Sequence, residues 1–165
     1  MAADHYPYAM AETDVDYYCE LSGLNDTERD TSRYRSNLIL WCGSMEEPVY
    51  VDIPCTAVDI VPTLSNLFGL EYDSRLLSGR DILAKNYTPN LATSCMPLAY
   101  IPTTAGTSWA TAAGTYESST GTFTPNPGIT VSDTYVDTVN QMVAAKYNYA
   151  KLAIQYDYYR VLFGE

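Results

Sequence analysis

Histidine is almost absent from this sequence: there is one, His5, in 165 residues. A Ser-His-Asp triad would have to share it, and no Gly-x-Ser-x-Gly elbow supplies the serine. Basic charge is scarce too, nine Lys and Arg against twenty Asp and Glu, for a net charge of −11. Without a basic stripe to displace counterions, the composition argues against nucleic acid as a partner. No apolar run approaches the roughly 20 residues that a membrane span needs, and the first residues lack a basic segment followed by an apolar one. The chain therefore reads as soluble and without an export signal. Glycine loops of the P-loop or dinucleotide type are missing. The four cysteines, Cys19, Cys42, Cys55 and Cys95, show no Cys-x-x-Cys spacing, which speaks against a zinc knuckle or a thioredoxin-type site. Cys42 and Cys55 have apolar neighbours and read as core residues, with a disulfide left open.

What is present is a folding composition. With 47% hydrophobic and 18% charged residues, the chain can build one domain of ordinary size. Sixteen tyrosines suit half-buried strands and amphipathic surfaces. They could also stack on sugars or lipid headgroups, although helix packing is the commoner use of a tyrosine.

Residues 58–70, Val-Asp-Ile-Val-Pro-Thr-Leu-Ser-Asn-Leu-Phe-Gly-Leu, organise the rest. Asp59 stands at an N-cap position, and Pro62 falls in the first turn, where its missing N–H costs little. Ile60, Val61, Leu64, Leu67 and Phe68 recur at helical spacing and predict a buried stripe. Gly69 suits a left-handed helix end, with Leu70 folding back on the last turn.

This run, followed by Ser78-Gly79-Arg80-Asp81-Ile82-Leu83, resembles the C-terminal signature of the sulfatase and alkaline-phosphatase superfamily. Within it, the likeness is nearest to the lipoteichoic acid synthase branch of phosphoglycerol transferases. Asp4-His5 is similar to that family's Asp-His metal pair. One carboxylate and one imidazole suit Mn²⁺ first, with Mg²⁺ or Zn²⁺ as alternatives. The resemblance implies a partial alkaline-phosphatase-like α/β sandwich and covalent chemistry at a metal-activated threonine. That threonine, and an acidic ligand, belong to a part of the family's domain that precedes these residues. It further implies substrates among glycerophospholipid headgroups or cell-envelope polymers. A membrane anchor in the preceding part would hold the domain on the outer face of a bacterial membrane. Asp4 and His5 are the only site residues that carry over, so a fragment of this kind is expected to be inactive alone. The alternative is a non-catalytic folded remnant or a binding module.

Along the chain, an acidic region gives a short helix over residues 14–22, closed by Gly23. Residues 38–42, Leu-Ile-Leu-Trp-Cys, read as a strand buried on both faces, and 49–51 as a second, short strand. Within the connector over 72–85, Arg75 and Arg80 are possible phosphate contacts. Pairing with Asp73 or Asp81 is the plainer reading. Strands follow at 97–101, 108–112 and 122–124, with Gly114 and Ser119-Thr120-Gly121 as turns. Asp133 then caps a long helix with an apolar stripe of Val136, Val139, Val143, Tyr147, Ala150 and Ile154. Residues 157–163 form a tail docked on the domain. The expected division is 1–90, the end of the α/β catalytic domain, and 91–165, a small antiparallel sheet with a C-terminal helix.

Overall fold

Tyr100, Trp109, Tyr116 and Phe123 stand directly opposite one another on four successive strands. In the computed structural model, which describes residues 1–2, 17–23, 34–93 and 96–164, these strands form one antiparallel sheet in the order β1-β2-β3-β4. The strands are β1 (Leu98–Thr103), β2 (Gly106–Thr111), β3 (Gly114–Glu117) and β4 (Thr122–Pro125). Residues opposite each other across an antiparallel ladder project to the same face, so the four rings form a row. Trp109 lies in the middle, fully buried, stacked on Tyr116 at 5.3 Å and tilted against Phe123 at 5.6 Å.

The helix α3 (Tyr135–Gln155) covers this row. Tyr135 meets Trp109 edge-on at 6.3 Å and Phe123 at 5.7 Å, and its hydroxyl donates to Thr111 Oγ1 at 3.0 Å. Met96, Leu98, Trp109, Ala113, Tyr135, Val139 and Val143 make the buried core. Each aromatic ring of this kind buries about 150–250 Å², which at about 25 cal/mol per Å² makes the row a main source of stability. The fold is thus mixed α/β, with a four-stranded antiparallel sheet and a C-terminal helix, as the sequence suggests. A fourth strand, β3, was not expected. Gly114 opens it because a side chain there has no room: a Cβ would come within 2.3 Å of the Thr124 carbonyl oxygen. The β2–β3 turn is Ala112-Ala113, without Gly or Asn; the Thr111 hydroxyl does their work by accepting from the Ala113 N–H at 3.1 Å.

Two helix readings need correction. α3 starts at Tyr135 after Thr134, and no side chain caps it, so Asp133 is not its cap. Its stripe holds at Val139 and Val143, but Tyr147 and Ile154 are exposed, because the sheet ends before the helix does. The helix α2 (Ile60–Leu67) ends as expected: Gly69 is left-handed at φ 64, and the Leu70 N–H returns to the Ser65 carbonyl at 2.8 Å. Its buried residues are nevertheless Pro62 and Thr63, while Val61, Leu67 and Phe68 face outward.

Residues 38–42 are not a strand buried on both faces. Leu38 makes a single antiparallel bridge to Ala2, and Ile39, Leu40 and Trp41 are exposed, Trp41 by 84%. A central strand needs paired neighbours on both sides, and among the described residues only Ala2 pairs with this run. Residues 49–51 form no strand either. Cys42 and Cys55 are exposed free thiols and not core residues. The other α-helices among the described residues are α1 (Tyr17–Ser22), closed by left-handed Gly23, and α4 (Tyr158–Phe163). No helix among the described residues is long and apolar enough to cross a membrane.

Candidate functional site

Asp4 and His5, the expected metal pair, lie outside the described residues. Among the described residues, no group of three or more His, Cys, Asp or Glu side chains could hold a metal ion. The two other parts of the signature are brought together. Asp59 closes a 3-10 turn, Ala57–Asp59, and its carboxylate does not cap α2 as expected. It accepts the Thr56 N–H at 2.9 Å on one oxygen and the Arg80 N–H at 2.8 Å on the other. Asp59 thus joins the helix region to the Gly79-Arg80-Asp81 segment.

Further bonds fasten this junction. Thr63 Oγ1 donates to the Asp59 carbonyl at 2.6 Å and accepts the Ile82 N–H at 3.1 Å. Asn66 donates to Asp81 at 3.0 Å, and Asp81 also accepts the Leu83 N–H at 2.9 Å. Gly79 sits so close to the turn that a Cβ would come within 1.9 Å of the Val58 carbonyl oxygen. Only glycine allows that approach. These polar contacts explain the buried face of α2: hydrogen bonds to the 79–83 segment orient the helix, and Val61, Leu67 and Phe68 are left outside.

Burial pushes the Asp59 carboxyl above its ordinary range. The two N–H bonds and the nearby charges of Lys146 and Arg80 oppose that shift but do not reverse it. The space around it, lined by Thr56, Val58, Arg80, Met96, Leu98, Tyr100 and Lys146, amounts to about 10 Å³. That is no more than about one water-sized probe, so the junction is packing and not a ligand cavity.

Arg75 pairs with Asp73 at 2.6 Å, and that pairing holds the Asp73 carboxyl at about 2. The Arg80 guanidinium lies 5.8 Å from the Tyr87 ring centroid. From the C-terminal helices, Lys146, Tyr149 and Tyr159 donate to the carbonyls of Ser78, Arg75 and Leu76. Three donors thereby clasp the connector.

A cleft of about 410 Å³ lies between the sheet and α3. Tyr100, Pro102, Thr107, Tyr116 and Ser118 line its sheet side. Asn140, Val143, Ala144, Tyr147 and Asn148 line the helix side, at the i, i+3, i+4, i+7, i+8 spacing of one helical face. The buried Trp109 indole donates to Asn140 Oδ1 at 2.8 Å. An indole N–H can only donate, so the Asn140 amide is oriented with its oxygen on the indole and its NH₂ group left over. Sequence reasoning missed Asn140 and Asn148. The signal was two asparagines eight apart, on an otherwise apolar helix face.

No protein-family model, curated protein or solved structure matches the chain.

Proposed function

We propose that the chain is the C-terminal part of a metal-dependent phosphoglycerol or phosphoryl transferase of the sulfatase-like superfamily, built on an alkaline-phosphatase-like α/β sandwich. The observation that carries the reading is the Asp59–Arg80 link, which makes one interlocked unit of the two signature segments. Exposed apolar residues on α2 and at 39–41 and 49–51 support it, because a face of this kind suits burial against further layers of such a sandwich. Asp4 and His5 would hold the metal, Mn²⁺ first, and a bound metal would polarise a phosphoryl oxygen of a lipid headgroup or cell-envelope polymer. The family's nucleophile and anchor would lie in sequence preceding residue 1.

Two tests bear on this. The coding sequence upstream of residue 1 is expected to supply a nucleophilic threonine and membrane spans; a reading frame opening at residue 1 overturns the proposal. In calorimetry, Mn²⁺ is expected to bind the chain weakly, since two protein ligands are fewer than a catalytic metal takes, and not at all after His5→Ala. Unchanged binding in that variant removes the metal assignment.

A second reading, a binding module without chemistry of its own, is favoured by the tyrosine- and asparagine-lined cleft.

A further inference from the structure

We infer that the cleft between the sheet and α3 is a binding site for an uncharged oligosaccharide. The inference names a ligand for the binding-module reading and does not depend on the metal-dependent one. Its volume of about 410 Å³ falls within the roughly 300–1,000 Å³ of small-molecule sites. The lining is what a sugar requires. Aromatic rings of Tyr100, Tyr116 and Tyr147 offer flat apolar faces for the C–H faces of a pyranose. Amides and hydroxyls supply donors and acceptors for its hydroxyl groups.

The polar groups are also uncommitted. Among the described residues, the hydroxyls of Tyr100, Tyr116 and Tyr147 and the amide of Asn148 make no hydrogen bond within the protein, and the Asn140 NH₂ group is left over once its oxygen accepts from Trp109. Five such groups belong to residues that line one concavity, which suits a polar, hydroxylated partner. Small residues make the room: Ala105 and Gly106 at the β1–β2 turn and Ala144 on the helix all line it. The sheet side is rigid, since Tyr116 is stacked on Trp109, and the Ser118 hydroxyl is tied to those of Thr103 and Ser108 at 2.9 Å each. A preorganised wall lowers the ordering cost of binding.

Charge selects against the other small-molecule classes. Among the described residues, no charged side chain lines the cleft, in a chain of net charge −11. A phosphate or other anion would meet a repulsive field and no cation, while a cation would find no carboxylate. An acyl chain would strip water from both asparagines without replacing their bonds. A neutral glycan does neither.

The test is amide NMR on the full chain in the presence of EDTA, with maltose, cellobiose and N,N′-diacetylchitobiose as probes. At least one sugar is expected to give saturable shifts at Gly106, Thr107, Ser118 and the Asn140 side-chain amide, with a dissociation constant on the order of millimolar. Tyr147 and Asn148 are exposed at the rim, so Tyr147→Ala and Asn148→Ala spare the core. Each is expected to weaken binding, the tyrosine by about tenfold. No saturable shift with any of the three at about 50 mM overturns the inference. So does a response that survives both substitutions unchanged. Because EDTA removes divalent metal, this result and the Mn²⁺ titration can fail separately.

Discussion

The Asp59 carboxylate receives the Arg80 backbone N–H at 2.8 Å across 21 residues of sequence. One side chain thus fixes where the Gly79-Arg80-Asp81 segment crosses the start of α2, and both of its oxygens are used. Asp59→Asn keeps the shape but replaces one acceptor by a donor that faces an N–H group. The expected cost at neutral pH is about 1–3 kcal/mol, read from urea unfolding. Unchanged stability would mean that the two N–H groups find other partners.

The pH dependence of that cost has a definite sign. The native carboxyl holds its proton more tightly than the ordinary value of 3.8, so the native state binds more protons than the unfolded one just above that value. Stability from Asp59 is greatest below 3.8 and falls as pH rises through the raised native value. The gap between the wild-type chain and Asp59→Asn should therefore narrow from about pH 4 upward and then level off. A gap that widens over this range would show that the hydrogen bonds outweigh burial.

Gly79→Ala puts a methyl group within 1.9 Å of the Val58 carbonyl oxygen. Backbone must move, and overpacking of this kind costs about 1–3 kcal/mol. A urea midpoint equal to that of the wild type would place Gly79 farther from the turn.

The two tryptophans should differ sharply under iodide quenching. Trp41 is 84% exposed and Trp109 is fully buried. Trp41→Phe is expected to remove the quenchable emission and leave a blue-shifted remainder. If quenching persists in that variant, Trp109 is reachable and the α3 cover is not closed.

Cys42 should be alkylated before Cys55 at about pH 8. The Ser44 hydroxyl, 3.1 Å from Cys42 Sγ, and the Ser44 backbone pull its thiol below the usual value, whereas partial desolvation of the sulfur, in a residue otherwise exposed, and then Asp59 push the Cys55 thiol up. Peptide-resolved mass spectrometry after brief iodoacetamide treatment reports the order; Cys55 reacting first contradicts it.

Where local pattern and tertiary packing agree, the sequence was readable. The three strands built from β-forming residues, the long helix and the Gly69 helix end were all legible for that reason. β3 was hidden because Gly114 looks like a turn, and its steric role appears only once Thr124 and Phe123 lie against it. α2 was legible as a helix but not in its orientation. Hydrophobic periodicity ranks Val61 and Phe68 inside, and the hydrogen bonds of Thr63 and Asp59 decide otherwise. Residues 38–42 have the composition of a central strand, but strand formation is a property of neighbours. The cleft could not be read from the chain at all, since three strands and one helix face contribute to it.

The clasp on the connector also sets an order of events during synthesis. Its three bonds join residues 68, 74 and 83 positions apart, whereas the sheet pairs only neighbouring strands through short turns. Hairpins form in about 1–10 μs once their strands exist, so the meander can close as soon as residue 125 is free. At about 5–20 residues per second, the carbonyl of Leu76 waits roughly 4–17 s for the hydroxyl of Tyr159. Until Lys146 is made the connector has no donors from the C-terminal helices, and until Tyr159 is made the clasp is incomplete; a protease present during translation should cut there before it cuts the sheet.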